Sequence, residues 1–274
     1  MKHRIKYIVA LGGVLLGVAA CQSVQTTNPG EVGVTRQQSV SPLVNRGELT
    51  QQANAQYKQV LQQAQKKNAL NVDAALTARV RRISDRIIPQ VSVFRPEAAK
   101  WQWEVNVLSS KELNAWCMPG GKIAFYSGLI ETLQLNDDEI AAIMGHEIAH
   151  ALREHAWERA SQAANAGLGM TVAGILLGAQ GYQMDMAGMA YQVMFELPNS
   201  REHETEADRI GVELAARAGY NPAAAVTLWQ KMGKQSSGGE PPQFLSTHPA
   251  NAERQKDLTV YAQRVQGLYE QAKR

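Results

Sequence analysis

From about Glu48 onward the apolar positions recur at helical steps. Leu61, Ala64 and Leu70 come first. Val72, Leu76, Val80, Ile83 and Ile87 follow three or four residues apart, with Ile88 beside the last. Residues at that spacing share one helix face, so the pattern predicts two helices with a break near residues 68–71. Pro96 interrupts it. Residues 101–108 (WQWEVNVL) alternate and predict a strand. Residues 114–118 and 122–126 predict two more, joined by Pro119-Gly120-Gly121, a hairpin signal.

Asn136-Asp137-Asp138 starts the next helix, with acids at its positive end. Its apolar positions are Ile140, Ile143, Met144, Ile148 and Leu152, and it is expected to run to about residue 161. In residues 160–195 Asp185 is the only charge, and Met184, Met186, Met189 and Met194 cluster near its end. The uninterrupted apolar part is short for a bilayer span. Two readings stand: a core helix hairpin, or a flexible apolar surface that meets lipid or unfolded protein. Helices follow over about 200–218, 222–232 and 251–273, with a loop at 235–242. The expected class is α+β, mostly helical, with one small sheet of about three strands.

The start of the chain breaks these periodicities. Residues 1–20 join a basic start to an apolar run of about 14 residues, the form of a secretory signal. Small residues precede Cys21, which resembles the lipobox of bacterial lipoproteins. The resemblance implies that Cys21 is acylated and becomes the mature N-terminus. Two or more acyl chains make a stable membrane anchor. Gln22, where an inner-membrane retention signal would place Asp, points to the outer membrane. Residues 21–45 are rich in Gln, Ser, Thr and Asn and are expected to form a lipidated flexible tether. The folded domain is expected over 46–274.

Charge now reads differently. Lys+Arg number 28 and Asp+Glu 25, yet Lys2, Arg4 and Lys6 lie in the leader, so the rest of the chain is balanced. No clustered basic surface suits nucleic acid. With 45% hydrophobic and 19% charged residues the chain can bury a core. Two cysteines exclude a disulfide scaffold. If Cys21 is acylated, Cys117 has no intrachain partner; it is either an inert buried thiol or the site of an intermolecular disulfide.

The candidate chemistry is His146-Glu147-Ile148-Ala149-His150. Four residues apart on a helix, both imidazoles reach one ion, and Glu147 stands beside them as a general base. This is the HExxH arrangement of zinc metallopeptidases. A third protein ligand is needed. Metzincins would place Gly at 153 and His at 156, where this chain has Arg153 and Ala156, so that class is excluded.

Residues 200–208 (SREHETEAD) resemble the SRxxExxAD motif of HtpX-type zinc peptidases, which are gluzincins. The resemblance implies one zinc per chain, with Glu204 as third ligand. Glu202 and Glu206 point elsewhere, roughly 160–200° around the helix. Asp208 shares Glu204's face and can accept a ligand imidazole's free N–H. Asn114-Ala115 with Pro119-Gly120-Gly121 is similar to the family's NAxxxPGG hairpin, whose strand binds extended substrate by β-augmentation. Ser246-Thr247-His248-Pro249 is similar to its STHP motif. His248 either stabilises an oxyanion or occupies the open zinc position at rest. His155 and His203 are expected to be exposed. The likeness covers roughly residues 70–260. With the lipobox and tether it resembles the LoiP-like outer-membrane lipoprotein branch.

The expected function is a lipid-anchored, periplasm-facing zinc endopeptidase of a Gram-negative envelope. Its substrates would be misfolded or misassembled envelope proteins or peptides. The alternative is a chaperone-like factor that works with the outer-membrane protein assembly machinery, its zinc site shut by His248.

Overall fold

The computed structural model describes residues 21–176, 186–236, 243–249 and 252–274. The expected leader at 1–20 and the expected loop's residues 237–242 lie outside them, as does Met184. The first described elements are two short strands, β1 (Gln22–Val24) and β2 (Gln38–Val40), paired antiparallel. Helix α1 (Arg46–Lys66) follows, capped by the Asn45 side chain, which accepts from the Glu48 N–H. It buries Leu49, Ala53 and Tyr57, four residues apart. Asn68 and Asn71 take left-handed backbone in the connection, a conformation that asparagine tolerates better than most residues. Helix α2 (Ala74–Ile87) is capped by Asp73 and buries Leu76, Val80, Ile83 and Ile87. Two 3-10 turns, each with a proline at its start, lead to the main sheet.

That sheet holds β3 (Glu104–Leu108), β4 (Ala115–Met118) and β5 (Lys122–Tyr126) in the order β3-β5-β4. β5 pairs parallel with β3 and antiparallel with β4. The β4–β5 turn uses Gly120 and Gly121, both at φ +84°, where a side chain would be strained. β4 is therefore an edge strand among the described residues.

Helix α3 (Ser127–Thr132) leads to α4 (Asp137–Leu152), whose start is a capping box between Asn136 and Glu139. Then come α5 (His155–Leu176), α6 (Met186–Phe195), α7 (Arg201–Arg217), α8 (Ala224–Ser236), α9 (Gln243–Thr247), α10 (Ala252–Arg264) and α11 (Gln266–Ala272). α4 and α7 pack on each other through the core, with α2 and α8 against α4 and the C-terminal helices against α7. The mostly helical class with a small sheet is as expected.

Three expectations are corrected. The α4 helix stops at Leu152, not near residue 161. Glu154 is left-handed at φ +54° and its carboxylate is held by Arg46 and Arg95, which turns the chain into α5. The last helix is divided at the buried Val265. Residues 22–45 are not a free tether: Val32, Val34 and Val44 are buried in the domain's core clusters, and Val40 is buried as well. Thr26 and Gln38 bind the Arg153 carbonyl, so the segment is a strap across the start of α5. Its apolar residues are isolated valines with no period, which is why their burial was not legible. In the 160–195 region Ala160, Ala164, Ala190 and Val193 are buried together, while Tyr191 is half exposed. No helix among the described residues is long and apolar enough to cross a membrane.

Candidate active site

The buried helix α4 carries His146 and His150 one turn apart, and α7 brings Glu204 to them. His146 Nε2 lies 3.0 Å from His150 Nε2 and 3.5 Å from Glu204 Oε2. His150 Nε2 lies 3.3 Å from Glu204 Oε1. His248, just after α9, places Nδ1 2.9 Å from Glu204 Oε1 and 3.2 Å from His146 Nε2. One ligand atom from each of these four buried residues lies within 4.8 Å of the others.

The donor set fits zinc. Zinc binds imidazole nitrogen and carboxylate oxygen at about 2.0–2.2 Å, so tetrahedral ligand atoms stand roughly 3.3 Å apart. The short contacts above have that spacing. His146 Nδ1 donates to Asp208 Oδ1 at 2.9 Å, which leaves its Nε2 lone pair facing the cluster. A lone pair aimed at a second nitrogen 3.0 Å away and at a carboxylate suits a cation between them.

Electrostatics divide the roles. Burial pushes the Glu147 carboxyl above the usual carboxylate range, against the pull of His248 and His146. Its Oε1 is buried without a hydrogen bond, 3.4 Å from His248 Nε2. A carboxylate so placed can take a proton near neutral pH. Glu204 behaves oppositely: burial would raise it, but His248 and Arg254 hold it well below that range. Burial likewise opposes Asp208's charge, and Arg254 and His146 restore it. For His146 burial opposes protonation, Asp208 outweighs it, and the ring is a more basic ligand. Burial keeps His150 well below the usual histidine value, hence neutral.

The cluster opens on a cleft of about 570 Å³ lined by Glu147, His150, His248 and the length of β4. Asn114 and Ala115 stand at this cleft. Asn114 Oδ1 accepts from the Ala115 N–H at 2.9 Å, which shapes the start of the edge strand. Cys117 also lines it, as a free thiol pushed well above its usual pKa by burial. Cys21 is exposed and free, with Asn165 Nδ2 3.0 Å from its sulfur.

Sequence reasoning missed several residues here. Arg254 bridges Asp208 and Glu204, at 2.7 Å to each, and nothing in the C-terminal helical pattern singles it out. His155 and His203, expected at the surface, are buried. His155 lies between His150 and Glu206, and His203 bonds Glu158 at 3.0 Å. Their two rings stack at 4.3 Å. The missing signal was the buried carboxylate that waits for each.

Comparison with known proteins agrees with this geometry. The model of peptidase family M48 matches residues 74–262. The chain is 36% identical over 159 residues to mitochondrial metalloendopeptidase OMA1 of Arabidopsis thaliana, covering 57% of this chain and 31% of that protein. It is 32% identical over 178 residues to its Saccharomyces cerevisiae namesake, covering 62% and 50%. It is 28% identical over 210 residues to the beta-barrel assembly-enhancing protease of Escherichia coli O157:H7, covering 73% and 42%. The aligned segment thus spans a third to a half of these relatives' own length.

Proposed function

We propose, for a chain that belongs to peptidase family M48, that it is a zinc endopeptidase anchored by lipid at Cys21 to the periplasmic side of a Gram-negative outer membrane. The observation that carries the peptidase reading is the convergence of His146, His150 and Glu204 beside the unpartnered Glu147 oxygen, in a cleft bordered by an edge strand. His146, His150 and Glu204 would hold the ion. When bound, zinc supplies Lewis acidity that polarises a carbonyl and makes water nucleophilic near neutral pH.

The chain's own residues supply the rest. An extended substrate pairs with the edge strand β4 from Asn114 and Ala115 onward, since every peptide offers the same backbone donors and acceptors. That pairing sets the scissile carbonyl next to α4. Glu147 takes the attacking water's proton at Oε1 and gives it to the leaving amine. His248 is within 3.4 Å of Glu147, and its Nδ1 sits among the ligand atoms. We therefore read it as closing the fourth position at rest and withdrawing when substrate enters.

Location and substrates rest on other support. The exposed Cys21 and the lipobox-like sequence before it favour the LoiP-like lipoprotein branch. The relatives named beta-barrel assembly-enhancing protease favour misassembled envelope proteins as substrates and a link to outer-membrane assembly. The mitochondrial relatives are named for another compartment. A second reading, a chaperone-like assembly factor with a shut zinc site, draws on the same position of His248. The purified chain with an unfolded protein decides between them. Cleavage that a chelator stops and zinc restores supports the peptidase; binding without cleavage supports the factor.

A further inference from the structure

We propose that His155 and Glu206 form a hydrogen-bond chain that fixes the metal-competent tautomer of His150, held in place from outside by Arg36 of the N-terminal strap. The inference rests on the zinc reading above and assigns positioning residues to it.

The geometry is specific. His150 Nδ1 lies 2.8 Å from His155 Nδ1, and His155 Nε2 lies 3.0 Å from Glu206 Oε2. A carboxylate can only accept, so the proton between the last two sits on His155 Nε2. Glu206 is already paired with Arg153 at 2.9 Å and Arg36 at 2.6 Å, so nothing calls for a third positive charge beside it. His155 is fully enclosed, and Glu206, its carboxylate partner, is shared with both guanidinium groups, so a charged imidazole there would place a third cation on a single carboxylate. It is therefore neutral, with Nδ1 as an acceptor.

The acceptor decides the next ring. His150 must donate from Nδ1, which leaves its Nε2 lone pair for the metal, 3.0 Å from that of His146. The opposite tautomer would aim an N–H into the ligand cluster. His146 is set the same way by Asp208 directly. Both ligands thus end on a carboxylate, one in contact and one through an intervening imidazole.

Arg36 closes the outer layer. Its guanidinium binds Glu206 and also both oxygens of Glu158, at 2.8 Å each. Glu158 in turn holds His203, the ring stacked on His155. Arg36 lies ahead of the family match, which begins at residue 74, so the strap completes a layer of the metal site.

The test compares the full chain as wild type, His155→Gln and His155→Leu. A glutamine can accept from His150 and donate to Glu206; a leucine can do neither. Zinc affinity is read by competition with a chromogenic chelator, and folding by circular dichroism. The expected result is a loss of about 10- to 100-fold for His155→Leu, the usual effect of removing such a partner, and near wild-type affinity for His155→Gln. Zinc-loaded, 15N-labelled wild type should also show a scalar coupling between His150 Nδ1 and His155 Nδ1. That coupling, with the one-bond N–H coupling found on His150 Nδ1 and not on His155 Nδ1, decides the matter even if His155→Leu does not fold. A folded leucine variant that binds zinc like wild type, a folded glutamine variant as weak as leucine, or no coupling would overturn the chain. Wild type that takes up no zinc would instead overturn the zinc reading itself, and the chain with it.

Discussion

Gly145 and Gly211 meet backbone to backbone where α4 crosses α7. A methyl on Gly145 would stand 2.5 Å from the Gly211 carbonyl oxygen, and one on Gly211 2.6 Å from the His146 nitrogen. Neither obstacle is a side chain that could swing away. The contact lets the two ligand-bearing helices approach closely enough for Glu204 to reach His146 and His150. Gly145→Ala and Gly211→Ala should each destabilise the fold by about 1–3 kcal/mol, as overpacking does. They should also weaken zinc binding, since the helices must part. Chemical denaturation and zinc titration of each variant check both effects. Unchanged zinc affinity would mean that this crossing does not set the ligand geometry.

Ligand removal gives a graded series. His146→Ala and Glu204→Ala should each lose stoichiometric zinc by elemental analysis of the purified protein. Asp208→Asn should keep zinc but bind it about 10- to 100-fold more weakly, because it tunes a ligand without being one. Full zinc content in Glu204→Ala would remove it as third ligand.

The strap ion pair predicts an acid dependence. Burial would raise the Glu158 carboxyl, but hydrogen bonds from Arg36 and His203 outweigh it and hold it far below its usual value. A folded-state pKa below the unfolded value of about 4.3 adds stability above that pH, which fades as pH falls toward the folded value. Wild type should therefore melt higher than Arg36→Gln at pH 7, and the gap should narrow below about pH 4.3. A gap that stays constant from pH 7 to pH 3 would contradict this assignment.

His248 predicts a change of opposite sign in the two roles open to it. As a plug on the fourth position, its removal should raise cleavage of a short unstructured peptide while zinc stays bound. As an oxyanion donor, its removal should lower kcat by about 10²- to 10³-fold. Its Nδ1 at 2.9 Å from Glu204 favours the plug, so His248→Ala is expected to be faster than wild type.

Local chemistry was legible in the sequence and long-range chemistry was not. His146, Glu147 and His150 could be read because helix geometry alone puts them on one face. Asn136 illustrates the same point at the helix start, where its side chain caps a backbone N–H three residues on. Glu204 and Asp208 needed the family resemblance, since their partners lie many residues away; Asn114 needed it too, since its own hydrogen bonds are local and say nothing of the cleft. Residues that need a distant partner to become buried were misread. Polar His155 and His203 near helix starts look solvated until Glu206 and Glu158 are placed beside them. The strap failed for the same reason: Arg36 finds Glu158 and Glu206 only after the helices have packed. The end of α4 was misplaced because Glu154 is turned by Arg46 and Arg95, which lie well upstream in the chain.

The most direct test of the account is Glu147→Gln, purified beside wild type and assayed for zinc content and for cleavage of an unfolded protein. The substitution keeps shape and removes the proton acceptor. The account predicts one zinc per chain in both proteins and cleavage by wild type alone. Cleavage by Glu147→Gln at the wild-type rate would contradict it.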